Sequence, residues 1–135
     1  MEPTLTQLLQ NYHDRPDRDL VVPIFTALSQ TQVYVPASMG KQGAVYTQGD
    51  SVGLKPDTIP GPEGKVIFPC FSDPSQVPND YGTRFSFLRL TFPEFAAAAL
   101  DAPNFGGMVL DPFTAKFMIP EEISRTLYDD RRELQ

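Results

Sequence analysis

The sequence predicts an α+β domain, a mixed β-sheet with helices packed on it, and three observations lead there. Residues 106–122 read as strand, turn, strand, helix: Val109 and Leu110 are apolar, Asp111-Pro112 interrupts, 116–119 resume an extended pattern, and Pro120-Glu121-Glu122 opens a helix. Leu5, Leu8, Leu9 and Tyr12 recur at helical spacing near the start. Runs rich in β-branched and aromatic residues at 32–36, 65–71 and 85–90 alternate with helix-like segments. The same alternation permits an α/β arrangement.

The first helix begins at a capping box formed by Thr4 and Gln7, and Arg15-Pro16-Asp17 ends it, because a residue before proline avoids helical dihedrals. A second helix is expected over 22–29, with Ile24, Phe25 and Leu28 inward and Pro23 in the first turn. Gln32-Val33-Tyr34-Val35-Pro36 is a strand. Segment 37–64 is rich in Gly and Pro, with short strands expected at 44–47 and near 58–59. Residues 65–71 form a strand in which Pro69 marks an edge, a bulge or the strand end.

Ser72-Asp73-Pro74 starts a turn of helix, and 79–82 read as a turn. Residues 85–90 form a strand with Phe85 and Phe87 on one face and Leu88 and Leu90 on the other. Thr91 and Glu94 cap a helix running to Ala102, with Phe92, Phe95, Ala99 and Ala102 on one side. In the closing helix Ile119, Ile123 and Leu127 share a stripe, later joined by Leu134, and Glu121 and Glu122 can pair with Arg125.

A chain of 135 residues is one domain's worth, and 41% hydrophobic content with ten Phe can fill one core. The fourteen prolines are spread along the chain and punctuate elements. A net charge of -6 without a cluster of basic residues argues against nucleic acid and anionic membranes, since both require a positive footprint. The opening MEPTLTQLLQ lacks the basic and apolar segments of a signal peptide, and no apolar run reaches the ~18–20 residues of a membrane span. The expected location is the cytoplasm.

Reactive side chains are few. Cys70 lies among Ile67, Phe68 and Phe71 and reads as core. His13 reads as a solvated residue at a helix end. One Cys and one His cannot build a zinc or iron site in a monomer, and Asp14, Asp17 and Asp19 lack the spacing of a calcium loop. Asp73, Asp111, Glu121 and Glu122 could serve as paired acids, but Asp73 and Glu121 stand near prolines at helix starts, where capping accounts for them. The glycines match neither a phosphate-binding loop nor a dinucleotide fingerprint. No catalytic residue, cofactor or metal is expected.

Three motifs carry a resemblance. Phe71-Ser72-Asp73 after a strand is similar to a signature of Phe, Thr/Ser, Ser/Asp. Gly107-Met108-Val109-Leu110-Asp111-Pro112 is similar to a signature of glycine, apolar residues and Asn-Pro before a final strand and helix. With Val33-Tyr34-Val35-Pro36, these residues resemble the SseB N-terminal domain family, named for enhanced serine sensitivity, over 20–127. Position 111 departs from the pattern, with Asp where Asn is usual; Asp keeps the turn-forming oxygen, adds a charge and loses the amide donor. The family often carries a C-terminal domain, and this chain is expected to hold none, with 1–19 serving as N-terminal helix and linker.

The resemblance implies a binding or regulatory role and no enzymatic reaction. The expected function is a non-enzymatic cytoplasmic module that binds a protein partner or itself through segment 37–64 and loop 73–84. Ser72, Asp73, Tyr81, Arg84 and Asp111 are the candidate surface residues. The alternative is a small-metabolite sensor with a cleft between the sheet and 37–64 and polar groups from Ser72, Asp73 or Asp111 converging on it; serine-related metabolites follow only from the family name.

Overall fold

Thr4 and Gln7 open the first helix reciprocally: the Gln7 N–H donates to Thr4 Oγ1, and the Thr4 N–H donates to Gln7 Oε1. This helix, α1 (Leu5–Asp14), buries Leu5, Leu8 and Leu9. The computed structural model describes residues 4–38, 44–47, 55–82 and 84–128. Within segment 37–64, the parts at 39–43 and 48–54 therefore lie outside the described residues, as does Leu134.

The second helix, α2 (Arg18–Leu28), starts earlier than Pro23 suggested. Asp17 caps it by accepting from the Asp19 N–H, so Pro23 sits inside the helix and removes one helical donor there. Fully buried Ile24 and Leu28 hold the following turn against the core.

β1 (Gln32–Ser38) pairs antiparallel with β6 (Ser86–Thr91), from Gln32 opposite Thr91 to Ala37 opposite Ser86. β2 (Val45–Thr47) runs parallel to β6 on its other side, and β3 (Lys55–Pro56) pairs with the end of β1. A second group is ordered β4 (Ile59–Pro60), β5 (Val66–Cys70), β7 (Phe105–Leu110), β8 (Phe117–Pro120). Here β5 and β7 are parallel and the other neighbours antiparallel. An isolated bridge joins the groups: Tyr34 N–H donates to Phe71 O at 2.9 Å, and Phe71 N–H donates to Tyr34 O at 2.8 Å. The domain is thus α+β, with an open mixed sheet. β4 pairs with β5 only at Val66 and Ile67, so Pro69, which has no N–H, meets no described ladder partner on that side.

Side-chain alternation sorts the two faces of the sheet. Val33, Val35, Phe68, Cys70, Leu88, Leu90, Met108 and Leu110 share one core with the buried residues of α1, α2 and α4 (Phe92–Leu100). Ile67, Phe71, Phe87 and Val109 lie on the opposite face. The capping box predicted for α4 is present, with Thr91 Oγ1 accepting from the Glu94 N–H. The helix ends at Leu100, before Ala102. Residues 79–82, expected as a turn, form one turn of helix, α3 (Asn79–Gly82).

The last helix, α5 (Glu121–Tyr128), differs most from expectation. Its fully buried residue is Ser124, while Ile123 and Leu127 are 46% and 51% exposed. Ser124 Oγ donates to Pro120 O at 2.9 Å, so this small polar residue lies against the sheet without an unsatisfied hydroxyl. Glu121 pairs with Lys65 and with Arg125, whose guanidinium lies 5.7 Å from the centre of the Phe105 ring. These contacts fix the face that α5 turns inward and leave its apolar stripe outside.

Candidate functional site

The three motifs that carried the resemblance meet at one place. Val33-Tyr34-Val35-Pro36 lies in β1, and Tyr34 is the residue bridged to Phe71. Phe71-Ser72-Asp73 follows β5 directly, and Asp111 follows β7, its parallel neighbour. The Asp111 N–H donates to Cys70 O at 2.9 Å, which carries the parallel pairing one residue beyond the strands.

Asp111 is 1% exposed and Ser72 8%. The Ser72 N–H donates to Asp111 Oδ1 at 2.8 Å, and Ser72 Oγ donates to Asp111 Oδ2 at 2.7 Å. Thr6 of α1 reaches Ser72 Oγ at 2.6 Å. Burial pushes the Asp111 carboxyl above its ordinary value; the two Ser72 bonds pull it back, and nearby Asp73 pushes it up again. The Asp111 backbone is left-handed at φ 51, a conformation that Asn and Asp adopt more readily than most residues. Its carbonyl accepts from the N–H groups of Thr114 and Lys116, closing the loop into β8. A site that favours Asn or Asp thus has a backbone reason as well as a side-chain one.

The other candidate residues fall elsewhere. Asp73 is exposed and accepts from the Ser75 N–H; the Ser75 side chain first, then this backbone bond, hold its carboxyl below the ordinary value. Arg84 is exposed just before β6, and Tyr81 lies on α3. Phe113, in the loop that Asp111 closes, is half exposed and stacks on Phe71, with ring centres 6.2 Å apart. The sequence does not single out Phe113; its place in the turn directly after Asp111-Pro112 is the available signal.

Cys70 is fully buried, and burial, with a lesser effect from Asp111, pushes its thiol well above the ordinary value. That environment disfavours a nucleophilic thiolate. His13 is exposed at the end of α1. Among the described residues, no group of three His, Cys, Asp or Glu side chains could hold a metal ion. No helix among them is long and apolar enough to cross a membrane.

Two of the grooves on the described surface bear on function. One, of about 430 Å³, lies between the α1–α2 pair and the β8–α5 corner; Tyr12, Phe25, Met118 and Ile123 are on its walls. The other, of about 580 Å³, lies between the 56–58 turn and the end of α4, over Val66 and Phe68. Neither is lined by Ser72, Asp73 or Asp111.

Comparison with curated proteins finds no match, and comparison with solved structures finds none. The SseB protein N-terminal domain matches residues 5–125, from the first residue of α1 into α5. The match takes in every strand among the described residues and all three convergent motifs, and the chain belongs to the SseB N-terminal domain family.

Proposed function

We propose that this domain is a non-enzymatic interaction module that binds a protein partner or a second copy of itself. The observation that carries the reading is the outward apolar stripe of α5. Ile123 and Leu127 are about half exposed, and Ile123 shares a groove with half-exposed Met118 of β8, although the helix is amphipathic and the sheet next to it offers an apolar core. Apolar side chains grouped this way on a surface fit an interface better than solvent. Asp73 and Phe113 are exposed on the two loops after β5 and β7, which Ser72 and Asp111 hold together beneath.

Solution mass by light scattering, with affinity capture on the full chain, tests this. A dimer or a reproducibly retained protein is expected, lost in an Ile123→Glu, Leu127→Glu variant that keeps its fold. A strict monomer that retains nothing overturns the reading.

The groove beside the 56–58 turn favours a second reading, a small-metabolite sensor, because it has an apolar floor of Val66 and Phe68 and a polar rim that includes Thr58 and Asp101. A thermal-shift screen of metabolites tests it; a stabilising compound whose effect survives Asp101→Ala and Thr58→Val together argues against this location.

A further inference from the structure

The geometry points to the groove along β8 as a docking site for an extended peptide segment of another protein, one with alternating apolar residues and a carboxylate near one end. This rests on the interaction-module reading and specifies its site and ligand chemistry.

β8 is the last strand of its group, and among the described residues no strand pairs with its outer side. In an antiparallel ladder, alternate residues direct N–H and C=O groups to opposite sides, so some backbone groups of β8 face away from β7, although Pro120 has no N–H and its carbonyl accepts from Ser124. The groove follows this edge throughout, because every residue from Ala115 to Pro120 lines it. Its opposite wall comes from α1 and α2. There Tyr12 and Phe25 both meet the ring of Phe117 edge-on, with centres 5.4 and 6.1 Å apart, which gives the groove a preformed apolar floor. Met118 and Ile123, both close to half exposed, form an apolar rim.

An open strand edge beside an apolar groove suits an added strand: backbone bonds supply affinity, and alternate side chains enter the pockets. A helical partner would leave the edge groups unused. Charge selects among extended partners. The chain carries a net charge of -6, yet the groove lining contains His13 and Lys116 and no carboxylate. Lys116 is exposed and has no ion-pair partner among the described residues. Its backbone, at φ 52, is held by its N–H bond to Asp111 O, so this cationic residue is anchored where the strand begins, and its flexible side chain can reach along the groove. A second copy of this chain would bring the same net negative charge and another Lys116, and is the poorer electrostatic fit.

The test is selection of a random dodecapeptide phage library on the immobilised full chain, followed by amide chemical-shift mapping with the most enriched synthetic peptide. Enriched sequences should alternate apolar and polar positions and carry Asp or Glu. Shifts should concentrate on 115–120, Tyr12 and Phe25. Lys116→Glu should weaken binding by about tenfold or more and Lys116→Arg should retain it, since reversing a rim charge opposes complementarity. Ile123→Glu should also weaken it, and Val45→Glu, on the terminal strand of the other group, should not. Unchanged melting temperatures of all four variants separate binding from folding.

Peptides whose shifts map away from β8, or that bind the Lys116→Glu and Ile123→Glu variants as tightly, overturn the assignment. So does a concentration-dependent dimer abolished by Ile123→Glu, which gives the groove to a second copy. A partner retained equally by the Lys116→Glu variant overturns the groove and leaves the interaction reading standing. A chain that neither self-associates nor retains any protein or peptide overturns both.

Discussion

Ser72 gives the carboxylate of Asp111 two hydrogen bonds, one to each oxygen, the backbone N–H at 2.8 Å and the hydroxyl at 2.7 Å. This pair ties the loop after β5 to the loop after β7. It is the polar centre of the place where the three family motifs converge.

Asp111→Ala should destabilise the domain by about 2–4 kcal/mol, because a buried N–H loses its acceptor and alanine must adopt a left-handed backbone. Asp111→Asn should be neutral or stabilising. Asparagine retains a carbonyl oxygen for the Ser72 N–H, tolerates φ 51 and removes a buried charge. Urea unfolding of both variants checks this, and an Asn variant as unstable as the Ala variant would sink it.

The same carboxyl sets a pH dependence. Its folded pKa is raised above the ordinary 3.8, mainly by burial, so the folded state holds the proton more tightly than the unfolded chain. Its favourable contribution is complete below the unfolded value and is lost as pH rises through the raised folded value. The stability of Asp111→Asn relative to the unsubstituted chain should therefore improve from about pH 4 upward and then level off. Unfolding free energies of the two proteins at a series of pH values test this. A gap that narrows with rising pH contradicts it.

Gly107→Ala should cost about 2 kcal/mol or more. A Cβ there would lie 2.9 Å from Ile119 O of β8, and the backbone stands at φ +147. Gly64→Ala provides the comparison: its φ is +78, but nothing lies within 4 Å of the added carbon. It should cost about 1 kcal/mol, from the backbone alone. Equal costs in thermal or urea unfolding would mean that the close approach of β7 and β8 is not what requires glycine at 107.

The orientation of α5 predicts an inverted pattern of tolerance. Ile123→Glu and Leu127→Glu should each change stability by less than about 0.5 kcal/mol, as surface substitutions do, while Ser124→Leu should cost about 1–3 kcal/mol by overpacking a closed site. Calorimetry on the three variants distinguishes this from a helix that buries its apolar stripe, for which the ranking would reverse.

Much of this fold could be read from single residues because the signals are local. Thr4 with Gln7 and Thr91 with Glu94 mark helix starts by chemistry confined to four residues, and both boxes form. Strand alternation placed Leu88 and Leu90 opposite Phe87 in the same way. The sequence misleads where a residue has two local meanings. Pro23 suits a first turn, yet Asp17 caps earlier and the helix passes through the proline. The stripe of Ile123 and Leu127 reveals an apolar face but not whether another element covers it. The candidate site is legible only in pieces: Ser72 and Asp111 each stand out in the sequence, but their contact depends on β5 and β7 lying side by side in parallel. No property of either residue alone encodes that neighbour relation.

The pairing of β1 with β6 also orders events at the ribosome. β1 takes its long partner from a strand synthesised after β2, β3, β4 and β5. A nascent chain halted before Ser86 holds Val33 and Val35 with no β6 to flank them, a state prone to collapse or to association with other chains. Stalled chains ending before β6 should be cut readily by protease between α2 and β5, and chains extended past α5 should resist. Early resistance would mean that β1 finds shelter before its partner exists.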